Sequence, residues 1–153
     1  MMTDALSLCV ATAADLPALV ALLRDDDFGR ARNPSLEEAA GAYERAFARM
    51  DADNHMVVAE RAGRIVGCYQ LTFIQCLSHA GAIRAQIESV RVASAMRGGG
   101  IGSAMMRDAI SRARARGAHM VQLTTDLRRA DAQRFYERLG FAASHAGMKL
   151  ALT

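Results

Sequence analysis

Residues Arg97-Gly98-Gly99-Gly100-Ile101-Gly102 have the composition of an anion cradle. A strand-like run, Ile83 to Val92, precedes them, and a helical pattern follows to about Arg116. The first N–H groups of a helix have no intrahelical acceptor, and the helix dipole lies behind them. Glycines remove the side chains that would hold a phosphate away, so the peptide groups can wrap around it. A P-loop would need Lys-Ser/Thr after the last glycine, and here Ser103-Ala104 follows. A dinucleotide GxGxxG starting at Gly98 or Gly100 would need glycine at Ser103 or Met105, so it fails too. The pattern (Arg/Gln)-x-x-Gly-x-(Gly/Ala) is matched in full by Arg97, Gly100 and Gly102.

The elements that would position this turn can be read along the chain. Leu6 to Ala11 reads as a first strand, and Thr12 or Asp15 can cap a helix whose apolar face is Leu16, Leu19, Val20 and Leu23. Asp25-Asp26-Asp27 opens a loop running through Pro34, and Ser35 with Glu38 forms a capping box for a second helix reaching about Met50. Met56 to Glu60 and Arg64 to Ile74 are strands joined by a tight turn at Arg61-Ala62-Gly63; Ile83 to Val92 completes an antiparallel meander. After the glycine turn, Gly102, Met105, Met106, Ala109, Ile110 and Ala113 mark the inner face of a helix ended by Gly117. His119 to Thr125 reads as a strand, Ala132 to Leu139 as a helix closed by Gly140, and Phe141 to Ser144 and Met148 to Leu152 as final strands. The order predicts a mixed α/β (α+β) sheet with helices on both faces.

At 153 residues, with 52% hydrophobic and 23% charged residues, the chain is expected to be one soluble domain, 1–153. No apolar run approaches the ~20 residues of a membrane span. Met1 to Val10 carries Asp4 and no Lys or Arg, unlike the start of a signal peptide, so a cytoplasmic location is expected. Cys9, Cys68 and Cys76 show no metal-ligand spacing, so reduced thiols and no metal are expected. The net charge of +3 is uneven. Residues 1–83 hold seven arginines against eleven carboxylates; residues 84–153 hold eleven arginines and Lys149 against five. The second part suits a small phosphorylated cofactor. Without a basic run interleaved with aromatics, nucleic acid is not expected as a partner, nor is a membrane.

Two segments carry a family resemblance. Ile87-Glu88-Ser89-Val90-Arg91-Val92, followed after four residues by Arg97-Gly-Gly-Gly-Ile-Gly, resembles the coenzyme-binding segment of the GNAT (GCN5-related) N-acetyltransferases. Ala132-Gln133-Arg134-Phe135-Tyr136-Glu137-Arg138-Leu139-Gly140-Phe141 is similar to that family's A-x-x-F-Y-x-x-x-G-F segment. The resemblance covers about Arg64 to Leu152. Where many members carry an Asn before the final helix, this chain has Arg128-Arg129.

The resemblance implies a GNAT fold: a mostly antiparallel sheet of six to seven strands, splayed between strands 4 and 5. It implies acetyl-CoA as cosubstrate, with Val90, Arg91 and Val92 lining the pantetheine arm through main-chain bonds and Arg97, Gly98, Gly99, Gly100, Ile101 and Gly102 holding the pyrophosphate. Arg134 or Arg138 is a candidate for the outer phosphate. The Val92 N–H would be the oxyanion donor. Tyr136 would protonate the departing thiolate or, alternatively, merely pack. Glu88 is the candidate base, directly or through a water relayed by Gln86, Thr124 or His79. Strand alternation puts Glu88 on a face with Gln86, Val90 and Val92 unless a bulge intervenes. The acceptor wall would comprise Asp25 to Asn33 and Gln75 to Ala82, with Asp25-Asp26-Asp27 available to a cationic amine. Tyr69, Phe73, Phe28 and Tyr43 are candidate pocket or core residues. The expected activity is acetyl transfer to the primary amine of a small molecule. Peptide N-terminal acetylation and non-catalytic acyl-CoA binding are the alternatives. The family admits a homodimer, but no interface stands out in the sequence.

Overall fold

A computed structural model describes residues 4–153. The chain forms two compact units, one reaching to Gln122 and the other Leu123–Thr153. The first holds the strands β1 (Ser7–Val10), β2 (Asn54–Arg61), β3 (Arg64–Gln75), β4 (Ile83–Val92) and β5 (Ala118–Leu123, its last residue at the boundary). Its helices are α1 (Leu16–Leu23), α2 (Asp27–Arg32), α3 (Ala42–Phe47), the single turn α4 (Ser78–Gly81) and α5 (Ile101–Ala115). The second unit holds α6 (Ala130–Arg138).

The sheet runs in the order β1-β2-β3-β4-β5. The first four strands are antiparallel neighbours. β2 turns into β3 through Ala62 and Gly63, both left-handed, with Arg61 opposite Arg64. This two-residue geometry matches the strands' twist. β5 follows the α5 crossover and runs parallel to β4. His119 Nδ1 meets the Ile83 carbonyl at 2.8 Å, and Gln122 meets Gln86, so a single offset relates the two strands.

Side chains alternate across this sheet. One face carries Met56, Val58 and Cys68 against Leu19 and Leu22 of α1. The other carries Tyr69, whose hydroxyl donates to Asp108 of α5 at 2.6 Å, and Gly67, where a Cβ would press Met105 and Ile101. Arg112 bonds Asp108 at 2.7 Å and the Leu8 carbonyl at 3.2 Å, tying α5 to the edge strand β1. Burial keeps the Tyr69 hydroxyl protonated far above its ordinary range, and the Asp108 carboxylate beside it adds to this.

Three local expectations differ from the structure. Among the described residues the sheet has five strands, not six to seven. Phe141 to Ser144 and Met148 to Leu152 have the right alternation, but residues 141–153 form no strand, because a strand exists only where another backbone pairs with it. The capping box at Ser35 and Glu38 forms, with bonds of 2.8 and 3.2 Å, but no single helix runs from it to Met50. Ala40 and Gly41 are left-handed (φ 46° and 83°), and the helix restarts as α3. Finally, the loop after Asp25 contains a helical turn, α2, capped by the Asp26 carboxylate on the Gly29 N–H at 2.5 Å.

Candidate active site

The sequence leaves open a bulge in β4, and the structure has one. Gln70 lies opposite Glu88 and Cys68 opposite Arg91, so Ser89 and Val90 together face Tyr69. This is a β-bulge with Ser89 left-handed at φ 52°. The bulge breaks the parity expected for this strand. Glu88 shares a face with Gln70 and Gln86, whereas Val92 stands opposite Gly67 on the α5 face. Glu88 is exposed.

The bulge also sets the direction of the amides. Ala93 N–H donates to the Val66 carbonyl at 2.9 Å, so at this end of the ladder Arg91 and Ala93 point their N–H groups towards β3. By antiparallel alternation, Val90 and Val92 point theirs to the opposite edge. Applying the β4–β5 offset, the six residues of β5 reach only as far as Ile87 along that edge. The Val90 and Val92 amides therefore face a stretch that β5 does not cover.

Beyond Val92 a short 3-10 turn, Ser94–Met96, leads into the glycines. The Asp25 carboxylate accepts from Ser94 N–H at 2.6 Å and from the Ser94 hydroxyl at 3.3 Å, tying the loop after α1 to the entrance of this turn. Arg97 Nε donates to the Val92 carbonyl at 3.4 Å. Gly98 and Gly100 are left-handed, at φ 82° and 79°, and a Cβ at either would meet nothing within 4 Å. The concave side is thus open, and glycine is needed there for backbone shape rather than for packing. Gly100 caps α5, whose first capping bond runs from Ala104 N–H to the Gly100 carbonyl at 3.0 Å. Ile101, Gly102 and Ser103 consequently have no intrahelical acceptor for their N–H groups. Ile101 is buried and anchors the turn, while residues 97–100 are exposed. Open amides, a helix dipole and no obstructing side chain fit a diphosphate.

On the Glu88 face lies a polar row that the sequence did not reveal. Asn54 Oδ1 accepts from Gln70 Nε2 at 2.8 Å and from Thr72 Oγ1 at 3.2 Å, and Gln86 Oε1 accepts from Gln122 Nε2 at 2.8 Å. These residues come from four separate strands, so only the register brings them together. Met56, Gln70 and Ser89 form the sheet side of a cavity of about 100 Å³, roofed by α1 and by α3, which contributes Tyr43. A larger hollow of about 500 Å³ lies at the far end of α5, between Phe47, Met50, Phe73 and Arg116, away from the glycine turn.

The other candidates fall as follows. Asp25, Asp26 and Asp27 are each engaged within the fold: Asp25 on Ser94, Asp26 on Gly29, Asp27 in an ion pair with Arg30. Each of the three carboxylates thus has a local partner, while the N–H and hydroxyl donors on Asp25 and Asp26 are neutral and do not cancel those charges. Tyr69 is core; Phe73 lies under the Arg116 guanidinium, 4.3 Å from the ring centre; Phe28 is half-exposed. Tyr43 donates to the Pro34 carbonyl at 2.8 Å. His79 is exposed in the left-handed turn α4 and packs on His119, ring centres 5.2 Å apart.

In the second unit, Tyr136 is half-buried on α6 and packs edge-on against Phe135 and Phe141, at 5.1 and 5.8 Å. Gly140, at φ 96°, closes the helix so that the Phe141 N–H returns to the Tyr136 carbonyl at 3.1 Å. Arg134 pairs with Asp131. Arg128 holds Asp126 through two guanidinium bonds, 2.6 and 3.0 Å, and its backbone N–H at 2.9 Å, and these keep that carboxyl well below the usual carboxylate range. Among the described residues, no cluster of three or more His, Cys, Asp or Glu could hold a metal ion. Nor is any described helix long and apolar enough to cross a membrane.

Residues 16–141 match the family model of the acetyltransferase (GNAT) family, and the chain belongs to that family. It is therefore an acetyltransferase, of a family that draws its acetyl group from acetyl-CoA. It is 37% identical, over 72% of its length and 73% of the relative's, to an aminoalkylphosphonate N-acetyltransferase of Salmonella typhimurium. It is 34% identical to a glucosamine 6-phosphate N-acetyltransferase of Trypanosoma brucei brucei, over 59% of each chain. Among solved structures, a transcriptional regulator from Bacillus halodurans C-125 superposes with a TM-score of 0.92 at 45% identity, covering 97% of this chain and all of that one.

Proposed function

We propose that this protein transfers the acetyl group of acetyl-CoA to the primary amine of a small molecule that also carries a phosphonate or phosphate group. The acceptor class rests on what the two curated relatives share by name: an amine and a phosphorus oxyanion in one molecule. In this reading both compact units act as one acetyltransferase domain, as the run of the family match across them favours. The observation that carries the coenzyme site is the pair of outward amides at Val90 and Val92, leading directly into an open helix N-terminus.

The chemistry follows from those groups. The amides of residues 97–102 hold the diphosphate, and the edge of β4 takes the pantetheine arm as an added strand would be taken. The amine must lose a proton before it attacks the thioester carbon; Glu88, exposed beside Gln86 and Gln70, accepts it directly or through water. As the nitrogen–carbon bond forms, the Val92 N–H donates to the carbonyl oxygen that gains charge. When the carbon–sulfur bond breaks, the Tyr136 hydroxyl gives its proton to the leaving sulfur.

The test is thiol release from acetyl-CoA with matched acceptors: aminoethylphosphonate against ethylamine, and glucosamine 6-phosphate against glucosamine. The phosphorus-bearing partner of a pair should be preferred by kcat/KM. Equal rates within each pair would overturn the acceptor class, and exclusive turnover of peptide N-termini would replace it. The Bacillus halodurans relative favours a second reading, a regulator that binds acyl-CoA without turnover. Saturable acetyl-CoA binding with no thiol release on any amine would select that reading.

A further inference from the structure

Among the described residues, the buried side-chain nitrogens and oxygens that make no hydrogen bond are guanidinium Nε atoms, those of Arg61, Arg84 and Arg91. Arg61 stands at the β2–β3 hairpin opposite Arg64, and Arg91 donates from Nη1 to the Val90 carbonyl at 3.0 Å. The Arg84 guanidinium has no hydrogen bond or ion pair to any described residue. A charged donor drawn from water without an acceptor is costly, and an anion seated against it removes that cost. The planar fork of a guanidinium matches two oxygens of a tetrahedral phosphoryl group.

Arg84 lies opposite Ile74, Gln86 opposite Thr72 and Glu88 opposite Gln70, all before the Ser89 bulge. Side chains alternate along a strand, so Arg84, Gln86 and Glu88 leave the same face of β4. That face carries the Asn54–Gln70–Thr72 bonds and the Gln86–Gln122 bond. Arg84, Gln86, Thr72 and Gln122 are half-buried and Glu88 is exposed, so solvent reaches the row. Gln86 Oε1 accepts from Gln122, which leaves the Gln86 amide nitrogen to donate midway between the two charges. Four strand residues span about 13 Å. Upright heads at that spacing, with a hydrogen bond of about 2.8 Å at each end, leave about 7 Å for a molecule between them, and any lean of the long arginine stem shortens it. An amine and a phosphorus oxyanion joined by a short carbon chain or a sugar ring fall in this range. The glycine turn lies past Val92, at the opposite end of β4, so Arg84 is separate from the coenzyme cradle.

We propose that Arg84 is the anion anchor of the acceptor site: its guanidinium takes two oxygens of the phosphonate or phosphate group and so sets the amine at Glu88. The two ends of the row are opposite in sign, and this orients a zwitterionic acceptor. Its nitrogen goes to the carboxylate and its oxyanion to the guanidinium, whereas a reversed molecule meets like charge at both ends. An amine without the oxyanion leaves Arg84 unmatched and gains nothing from it. The inference rests on the acceptor class proposed above and adds the residue that selects it.

Thiol release with aminoethylphosphonate and with ethylamine is compared for the unmodified protein, Arg84→Gln and Arg84→Lys. The advantage of aminoethylphosphonate in kcat/KM should fall about 10- to 100-fold in Arg84→Gln, with acetyl-CoA affinity by isothermal titration unchanged. Arg84→Lys should recover part of it, because a point charge attracts the oxyanion but lacks the fork. A second measurement needs no variant. Methylphosphonate titrated into ¹⁵N-labelled protein should shift the Arg84 Nε–H resonance, and it should inhibit competitively against the amine. If the unmodified protein prefers aminoethylphosphonate but Arg84→Gln keeps that preference, or if methylphosphonate leaves the Arg84 resonance in place, the anchor is overturned and the acceptor class stands. Equal rates for the two amines in the unmodified protein overturn the acceptor class and the anchor with it.

Discussion

Replacing Gly100 separates the two things that residue does. It is left-handed at φ 79° with nothing within 4 Å of where a Cβ would stand, so any side chain pays backbone strain but no clash. That strain is about 1–2 kcal/mol, which for a chain of this size lowers Tm by roughly 2–8 °C. Gly100→Gln and Gly100→Glu carry the same strain and nearly the same bulk; they differ in one negative charge. With that carboxylate about 5 Å from a bound diphosphate and an effective dielectric constant near 20, repulsion is on the order of 3 kcal/mol. Such a penalty weakens acetyl-CoA binding by about two orders of magnitude. Isothermal titration should therefore find the Gln variant weakened modestly and the Glu variant about 100-fold further, at matching Tm. Because the turn is exposed, that gap should narrow as salt is raised. Glu and Gln variants binding within two- to threefold of each other would refute the placement of the diphosphate.

Tyr136→Phe removes the proposed proton donor and leaves the ring contacts to Phe135 and Phe141, so kcat should fall about 10²-fold or more with KM for acetyl-CoA little changed; an unaltered kcat under rate-limiting chemistry would reduce Tyr136 to packing. Glu88→Gln should lower kcat and leave Tm within about 1–2 °C, since the side chain is exposed; steady-state rates and a melting curve check both, and an unchanged kcat would remove Glu88 from the reaction. Asp25→Ala frees the Ser94 N–H and hydroxyl, and KM for acetyl-CoA should rise several-fold while acceptor selectivity holds. Burial pushes the Cys68 thiol up to about 12, against a smaller opposing effect of the Arg91 charge. At pH 8 its thiolate fraction is thus on the order of 10⁻⁴, so Ellman's reagent should modify exposed Cys9 long before Cys68, and comparable rates would mean that the α1 face opens.

The strands between Arg64 and Val92 were readable because their alternation and turns are local properties: Ala62-Gly63 turns the hairpin, and Ile83–Val92 begins and ends where its pattern does. The glycine turn was readable for the same reason, since its function lies in backbone freedom written directly as residue type. The Ser89 bulge was not, because no glycine or proline marks it; Gln70 and Cys68 on the neighbouring strand force it through register. That one residue moved Glu88 away from the face of Val92. For the Asp25-Asp26-Asp27 run, composition shows the charge but not which carboxylates hold an N–H or a guanidinium. The Asn54–Gln70–Thr72 row joins residues as many as eighteen apart, a distance no local pattern spans. The terminal alternation misled in the same way: it has a strand's period, yet residues 141–153 form no strand, because a strand depends on a paired backbone that no local pattern reports.

Titrating ¹⁵N-labelled protein with acetyl-CoA while following backbone amides tests the coenzyme site most directly. The largest shifts should fall on Val90, Val92 and residues 98–102, with adenosine 3′,5′-bisphosphate, which lacks both the diphosphate and the pantetheine, leaving those amides nearly still. Shifts centred elsewhere, for example around the hollow by Phe73 and Arg116, would contradict it.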